Sequence, residues 1–196
     1  MLNLPTIARS ELPPITPVDW NGLPRQYLNT GELEIIVALV RSVAPRIMVE
    51  IGLAEGRTAK AILRELPDLE RYIGIDTDPG YRTKLRSQWT ERSRDPGHLA
   101  LADSRFDRWL LPCGSFDLVA DDFPEIDAMF IDGDHSSEAV RHDSDLARAV
   151  VKPGGIILWH DYHNDGVEVT RVLELDYDLG CDIRHVEETW LAFERR

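Results

Sequence analysis

The sequence predicts an α/β fold, a mostly parallel sheet with helices packed on both faces. Three observations lead there. Strand-like and helix-like segments alternate through most of the chain, the order that parallel strands and crossover helices require. A glycine turn follows the first apolar run directly, and a helical pattern follows the turn. The chain has 196 residues and no internal repeat, which favours one domain, 1–196, able to bury a core without disulfides or a structural metal.

Residues 1–29 are expected to form an arm, with 30–196 as the body. Pro5, Pro13, Pro14, Pro17 and Pro24 each fix φ and remove a backbone donor, so a regular helix or central strand is not expected there. Trp20 and Tyr27 are its candidate anchors, onto the body or onto a second copy. Thr30 to Val43 has helical spacing through Leu33, Ile36, Val37 and Val40, and Pro45 stops it. Arg46 to Ile51 reads as a buried strand. Thr58 to Leu66 reads as a helix ended by Pro67. Arg71 to Ile75 is a second strand closed by Asp76, and Pro79 to Arg92 is expected to be helical. Leu99 to Ala102 reads as a weak third strand and Arg105 to Leu111 as a short helix. Asp127 to Asp132 is the fourth strand, with Phe116 to Val119 as a competitor for that place. Ser136 or Ser137 caps a helix running to Val150. Pro153 to Gly155 is a turn, Ile156 to Trp159 a fifth strand, and Cys181–Val186 with Trp190–Phe193 a closing pair.

The formal net charge is −13, so no general attraction to phosphate backbones or anionic lipid is expected, and nucleic acid and membrane are excluded as first partners. Cys113 and Cys181 match no zinc spacing and read as free thiols. No apolar run reaches a membrane span, and the first residues carry no basic-then-apolar leader, so the expected location is the cytoplasm.

In open parallel sheets a ligand sits beyond the carboxyl ends of the strands. Gly52 and Gly56 flank the first such turn, where glycine permits a sharp bend and close approach. The helix starting near Thr58 offers amides at its N-terminus. A dinucleotide site wants G-x-G-x-x-G, but Ala54 and Arg57 occupy the second and third glycine places, which argues against a nicotinamide dehydrogenase. Glu50, ahead of the turn, suits instead the amino group of a cationic ligand such as S-adenosylmethionine. Asp76 can accept both ribose hydroxyls, and Asp103 and Ser104, at the end of the expected third strand, can face an adenine edge.

Val49-Glu50-Ile51-Gly52 with Gly56-Arg57-Thr58-Ala59 resembles the first motif of class I S-adenosylmethionine-dependent methyltransferases. Ile73-Gly74-Ile75-Asp76 resembles their second, and Phe130-Ile131-Asp132-Gly133-Asp134-His135-Ser136 and Lys152-Pro153-Gly154-Gly155-Ile156-Ile157 their fourth and fifth. The Asp-Gly-Asp-His-Ser form with a later His160-Asp161 is similar to a bacterial small-molecule subfamily related to catechol and caffeoyl-coenzyme A O-methyltransferases. Ala54 stands where many members have glycine. The resemblance implies a Rossmann-like, seven-stranded sheet with an antiparallel last strand. It also implies a cofactor set of Glu50, Gly52, Ala54, Gly56, Thr58, Asp76, Asp103, Ser104 and Asp132.

Asp132, Asp134 and His135 follow the fourth strand, and His160, Asp161, His163 and Asp165 follow the fifth, so both groups are expected at one rim beside the turn. His135 is the candidate base, with Asp132 beside it. In the catechol-type relatives a lysine stands at the spacing His135 has from Asp132. The resemblance further implies a divalent cation, magnesium or manganese, on Asp132, His160 and Asp161, where the imidazole shifts preference toward a transition metal. The expected function is methyl transfer to a small-molecule acceptor, at a hydroxyl oxygen. The rivals are a non-catalytic cofactor-binding or structural protein and a metal hydrolase using the His/Asp cluster.

Overall fold

The computed structural model describes residues 3–21, 23, 30–78, 80–81 and 95–196. From the arm comes β1 (Thr6–Ile7), and the body follows with α1 (Thr30–Arg41), β2 (Ile47–Ile51), α2 (Arg57–Glu65), β3 (Arg71–Thr77) and β4 (Phe106–Leu111). The second half adds β5 (Ile126–Ile131), α3 (Ser137–Val150), β6 (Val151–Trp159), α4 (Val169–Asp178), β7 (Ile183–Val186) and β8 (Ala192–Arg195). All strands join one sheet in the order β1-β7-β8-β6-β5-β2-β3-β4, and β8 alone runs antiparallel to its neighbours. The antiparallel last strand is as expected. Among the described residues the sheet has eight strands rather than seven, because the arm adds β1, parallel to β7, at one edge.

Period-two alternation assigns the faces. Met48, Tyr72, Ala128, Phe130 and Leu158 point into a core shared with α1 and α2, where Leu33, Ile36, Ala59 and Ile62 are fully buried. Val49, Ile73, Met129, Ile157 and Trp159 point to the other core, closed by Val140 and Ala147 of α3 and Val172 and Leu173 of α4. The described part of the arm lies on its own chain: Leu4, Val18 and Leu23 are buried, and Arg64 holds Asp19 at 2.8 Å.

Three readings need correction, and the competitor for the fourth strand falls away. The segment expected to be a short helix, Arg105 to Leu111, is the edge strand β4, paired with β3 from Tyr72↔Phe106 to Thr77↔Leu111. Its charges suit an edge: Asp107 pairs with Arg71, and Arg108 with Asp95. Leu99 to Ala102 is not a strand; a 3-10 turn spans His98–Ala100 after Gly97 in left-handed conformation. Phe116 to Val119 is not a strand either, since a 3-10 turn covers Gly114–Asp117. Pro153 to Gly155 lie inside β6 as a bulge, where the pairing with β5 jumps from Ile126↔Val151 to Ala128↔Ile156. Helix α4 went unread. The expected helix Pro79–Arg92 lies almost wholly outside the described residues, as does Tyr27. Ser136 caps α3, its Oγ accepting from the Ala139 amide at 3.4 Å. Among the described residues, no helix is long and apolar enough to cross a membrane.

Candidate active site

Strand order reverses at β2, which has β3 and then β4 on one side and β5 on the other. Open α/β sheets bind ligands at this crevice. The carboxyl ends of β4, β3, β2, β5 and β6 all reach the same rim, because these strands are parallel.

At the end of β2 the chain turns through Gly52 (φ +92) and Gly56 (φ +85). A Cβ on Gly52 would lie 2.1 Å from the Asp132 carbonyl oxygen, so only glycine lets β2 leave this close to β5. Ala54 takes φ +44 without glycine's freedom. Leu53 is buried, its methyl groups against Gly74 and Gly97. Helix α2 starts from Gly56 with no side chain capping its first turn. Asp76 is fixed by the turn itself: Oδ2 accepts from the Leu53 amide at 2.9 Å and Oδ1 from the Thr77 amide at 2.7 Å.

Glu50 lies beneath the turn. Alternation points it to the α1/α2 face, where it is 2% exposed and its Oε2 accepts from the Tyr72 hydroxyl at 2.8 Å. Burial pushes its carboxyl well above the ordinary range; the Tyr72 bond opposes this, and Asp132 and Asp76 add to it, while Thr58 also bonds to it.

Beyond β5 and β6 the expected polar groups meet. His135 Nε2 lies 3.3 Å from Asp132 Oδ1 and 3.1 Å from Asp161 Oδ2. His160 Nδ1 lies 3.5 Å from Asp132 Oδ1 and 3.2 Å from Asp161 Oδ2. Asp161 has φ +63, a strained bend for a non-glycine residue that ends β6, and Asn164 donates to its other oxygen at 2.6 Å. Burial would lower the pKa of both imidazoles, but Asp132 and Asp161 raise it, His160 well above its usual value. Asp132 is pulled far below the carboxylate range: burial raises it, and the charge of His160 and the bonds from both imidazoles outweigh that. Ligand atoms of Asp132, His135 and Asp161 lie within 4.8 Å of one another, so these three could hold an ion, while His160 approaches the same two carboxylates through Nδ1. His160 turns Nε2 toward Glu32 Oε2 at 3.5 Å.

Asp103 and Ser104 are not at this rim. They precede β4, at its entry end. Asp103 accepts from the Arg105 backbone amide and guanidinium, and that guanidinium donates to the Leu63 and Leu66 carbonyls at the end of α2. The residues at the exit of β4 are Gly114 and Ser115; a Cβ on Gly114 would meet the Thr77 methyl at 2.8 Å. Glu32 of α1 is the other group not foreseen. It is 3% exposed and accepts from the Trp190 amide at 2.8 Å.

Residues 49–162, more than half of the chain, match a family described as a methyltransferase domain. The chain belongs to that family. The match runs from the strand before the glycine turn to the residue after Asp161, the span that builds the rim. A comparison with curated proteins found no match. Among solved structures, this methyltransferase-family chain is similar to an O-methyltransferase from Bacillus cereus in complex with S-adenosylhomocysteine (15% identity, 90% of this chain and 86% of that one, TM-score 0.59). It is also similar to the O-methyltransferase TomG of tomaymycin synthesis from Streptomyces achromogenes, in complex with S-adenosylmethionine (18%, 89% and 84%, TM-score 0.60). A third is a precorrin-6y C5,15-methyltransferase from Geobacter metallireducens (15%, 92% and 96%, TM-score 0.58). At these identities the likeness is one of fold.

Proposed function

We propose that the protein is an S-adenosylmethionine-dependent methyltransferase acting on a hydroxyl of a small molecule. One observation carries this reading: the glycine turn, Asp76 and the Asp132–His135–Asp161 cluster share one rim at the switch point. The donor set suits the cofactor. Gly52 and Gly56 clear the turn, the uncapped start of α2 supplies amides through Thr58, and Asp76 offers carboxylate lone pairs to the ribose. Glu50 is the acid whose charge a bound ammonium group would offset against its burial. Ala54 lies against the same ligand, and the adenine place passes to Gly114 and Ser115. When bound, S-adenosylmethionine supplies an activated methyl on a sulfonium.

His135 takes the acceptor hydroxyl proton, and Asp132 and Asp161 stabilise the imidazolium that results. The same three residues are those that would hold a divalent ion, manganese before magnesium because one donor is nitrogen, and the ion would lower the pKa of a bound hydroxyl. Residues 1–196 act as one cytoplasmic domain without nucleic-acid or membrane partners. Trp20 packs against the core of its own chain, and the arm, through the exposed Ile15, is the segment we assign to contact between copies.

Calorimetry with S-adenosylhomocysteine tests the reading. Wild type should bind, Asp76→Ala should bind at least about tenfold more weakly, and His135→Ala should bind normally yet transfer about 10²–10⁴-fold more slowly. No binding by wild type would refute the assignment, and manganese titration of His135→Ala separates a base from an ion ligand.

A further inference from the structure

We propose that Trp190 is a specificity-determining residue, a fixed wall against which a planar aromatic acceptor stacks while its hydroxyl reaches the Asp132–His135–Asp161 cluster. The inference rests on the methyl-transfer reading and adds the acceptor class and the residue that selects it.

Trp190 is 43% exposed, although Leu191 and Ala192 beside it are fully buried. Its position is set by the site. Glu32 Oε1 accepts from its amide at 2.8 Å, and its carbonyl accepts from the Tyr162 amide, one residue after Asp161, at 3.0 Å. The other oxygen of Glu32 lies against His160 Nε2. One buried carboxylate therefore links the tryptophan backbone to the imidazole that lines the cluster. The indole and His160 ring centroids are 6.1 Å apart with planes at 59°.

Trp190 leads into β8, whose Ala192 pairs with Trp159 at the end of β6. Adjacent strands are about 4.8 Å apart, so Trp190 stands roughly 10 Å along the rim from the end of β5, a gap that a stacked ring and its hydroxyl can fill. It lies on the far side of the cluster from Asp76, leaving the β2–β3 side to the cofactor. With its main chain held at both polar groups, the indole has only its two side-chain torsions to order on stacking, and its flat face favours planar π-surfaces over puckered ones.

The test uses naphthol and its saturated analogue decalol, titrated calorimetrically into wild type, Trp190→Ala and Trp190→Phe with S-adenosylhomocysteine present. Naphthol should bind wild type, weaken about tenfold in Trp190→Ala and recover to within about threefold in Trp190→Phe. Decalol should bind all three alike. Naphthol binding that is absent in wild type, unchanged in Trp190→Ala, or lost in parallel with decalol would overturn the proposal. Failure of all three proteins to bind S-adenosylhomocysteine would instead overturn the methyl-transfer reading beneath it.

Discussion

Gly52→Ala and Gly154→Ala form a matched pair. Both glycines are left-handed, with φ +92 and +85. A Cβ on Gly154 meets nothing within 4 Å. One on Gly52 would sit 2.1 Å from the Asp132 oxygen, 2.5 Å from its carbonyl carbon and 2.6 Å from Gly133 Cα. All three are backbone atoms, so no rotamer change relieves the overlap. Backbone strain costs about 1–2 kcal/mol in either variant. Forcing the end of β2 away from β5 adds about 1–3 kcal/mol, for a total of about 2–5 kcal/mol at Gly52. At about 2–4 °C per kcal/mol for a chain of this size, Gly154→Ala should melt about 2–8 °C below wild type and Gly52→Ala about 4–20 °C below it. Both should still fold, because domains are stable by about 5–15 kcal/mol. Affinity for S-adenosylhomocysteine should separate them further: about a hundredfold loss, or roughly 2.8 kcal/mol, for Gly52→Ala and less than about twofold for Gly154→Ala. Scanning calorimetry without ligand and titration with it measure both. Equal melting and equal affinity for the pair would refute the close approach of β2 to β5 and the seat of the cofactor with it.

Asp103→Ala should cost about 1 kcal/mol in urea unfolding, through the freed Arg105, and leave S-adenosylhomocysteine affinity within about twofold; a large affinity loss would return Asp103 to the adenine. Asp127 governs acid stability. Its buried position would raise its pKa, but Lys152 and the amides of Ile47 and Arg46 overcome this and hold it below the ordinary carboxylate value. The stabilisation is therefore present above the unfolded pKa and lost as pH falls through the folded one, so Asp127→Asn should flatten the acid limb of a urea-midpoint profile. Parallel profiles for wild type and variant would show that Asp127 is not the titrating group.

The strands that run through the core were legible because both faces are buried, which makes Ile47–Ile51 and Ile126–Ile131 nearly continuous apolar runs. Strand β4 was not, because it is an edge: Asp107 and Arg108 interrupt the pattern, and their partners Arg71 and Asp95 lie elsewhere in the chain. That one misreading moved Asp103 and Ser104 from the entry of a strand to its exit. Helix α4 has the right spacing in Val169, Val172 and Leu173, but acids stand on its buried side. Asp176 there is held by Arg148 at 2.7 Å, and Glu174 accepts from the Tyr162 hydroxyl at 3.3 Å. Glu32 was visible only as an acid in the first turn of a helix. Its partners His160 and Trp190 are 128 and 158 residues away, a relation no local pattern carries.

The two halves of the site meet at one backbone contact. The contact that demands glycine at position 52 is with the main chain of Asp132, so the tight turn and the first residue of the polar cluster share a backbone constraint. Moving the turn must therefore move Asp132. The constraint is mutual, so a shift of the Asp132 main chain moves the turn as well. The side chains of His135 and Asp161 bond to one another and to neighbours that include Asp132, His160 and Asn164, and Asp161 stands one strand further along the rim. Trp190 stands one strand beyond that. Side-chain substitutions on the β6–β8 side leave this main-chain contact in place. A fold arranged this way fixes the turn through the main chain and lets the side chains of the β6–β8 side vary independently.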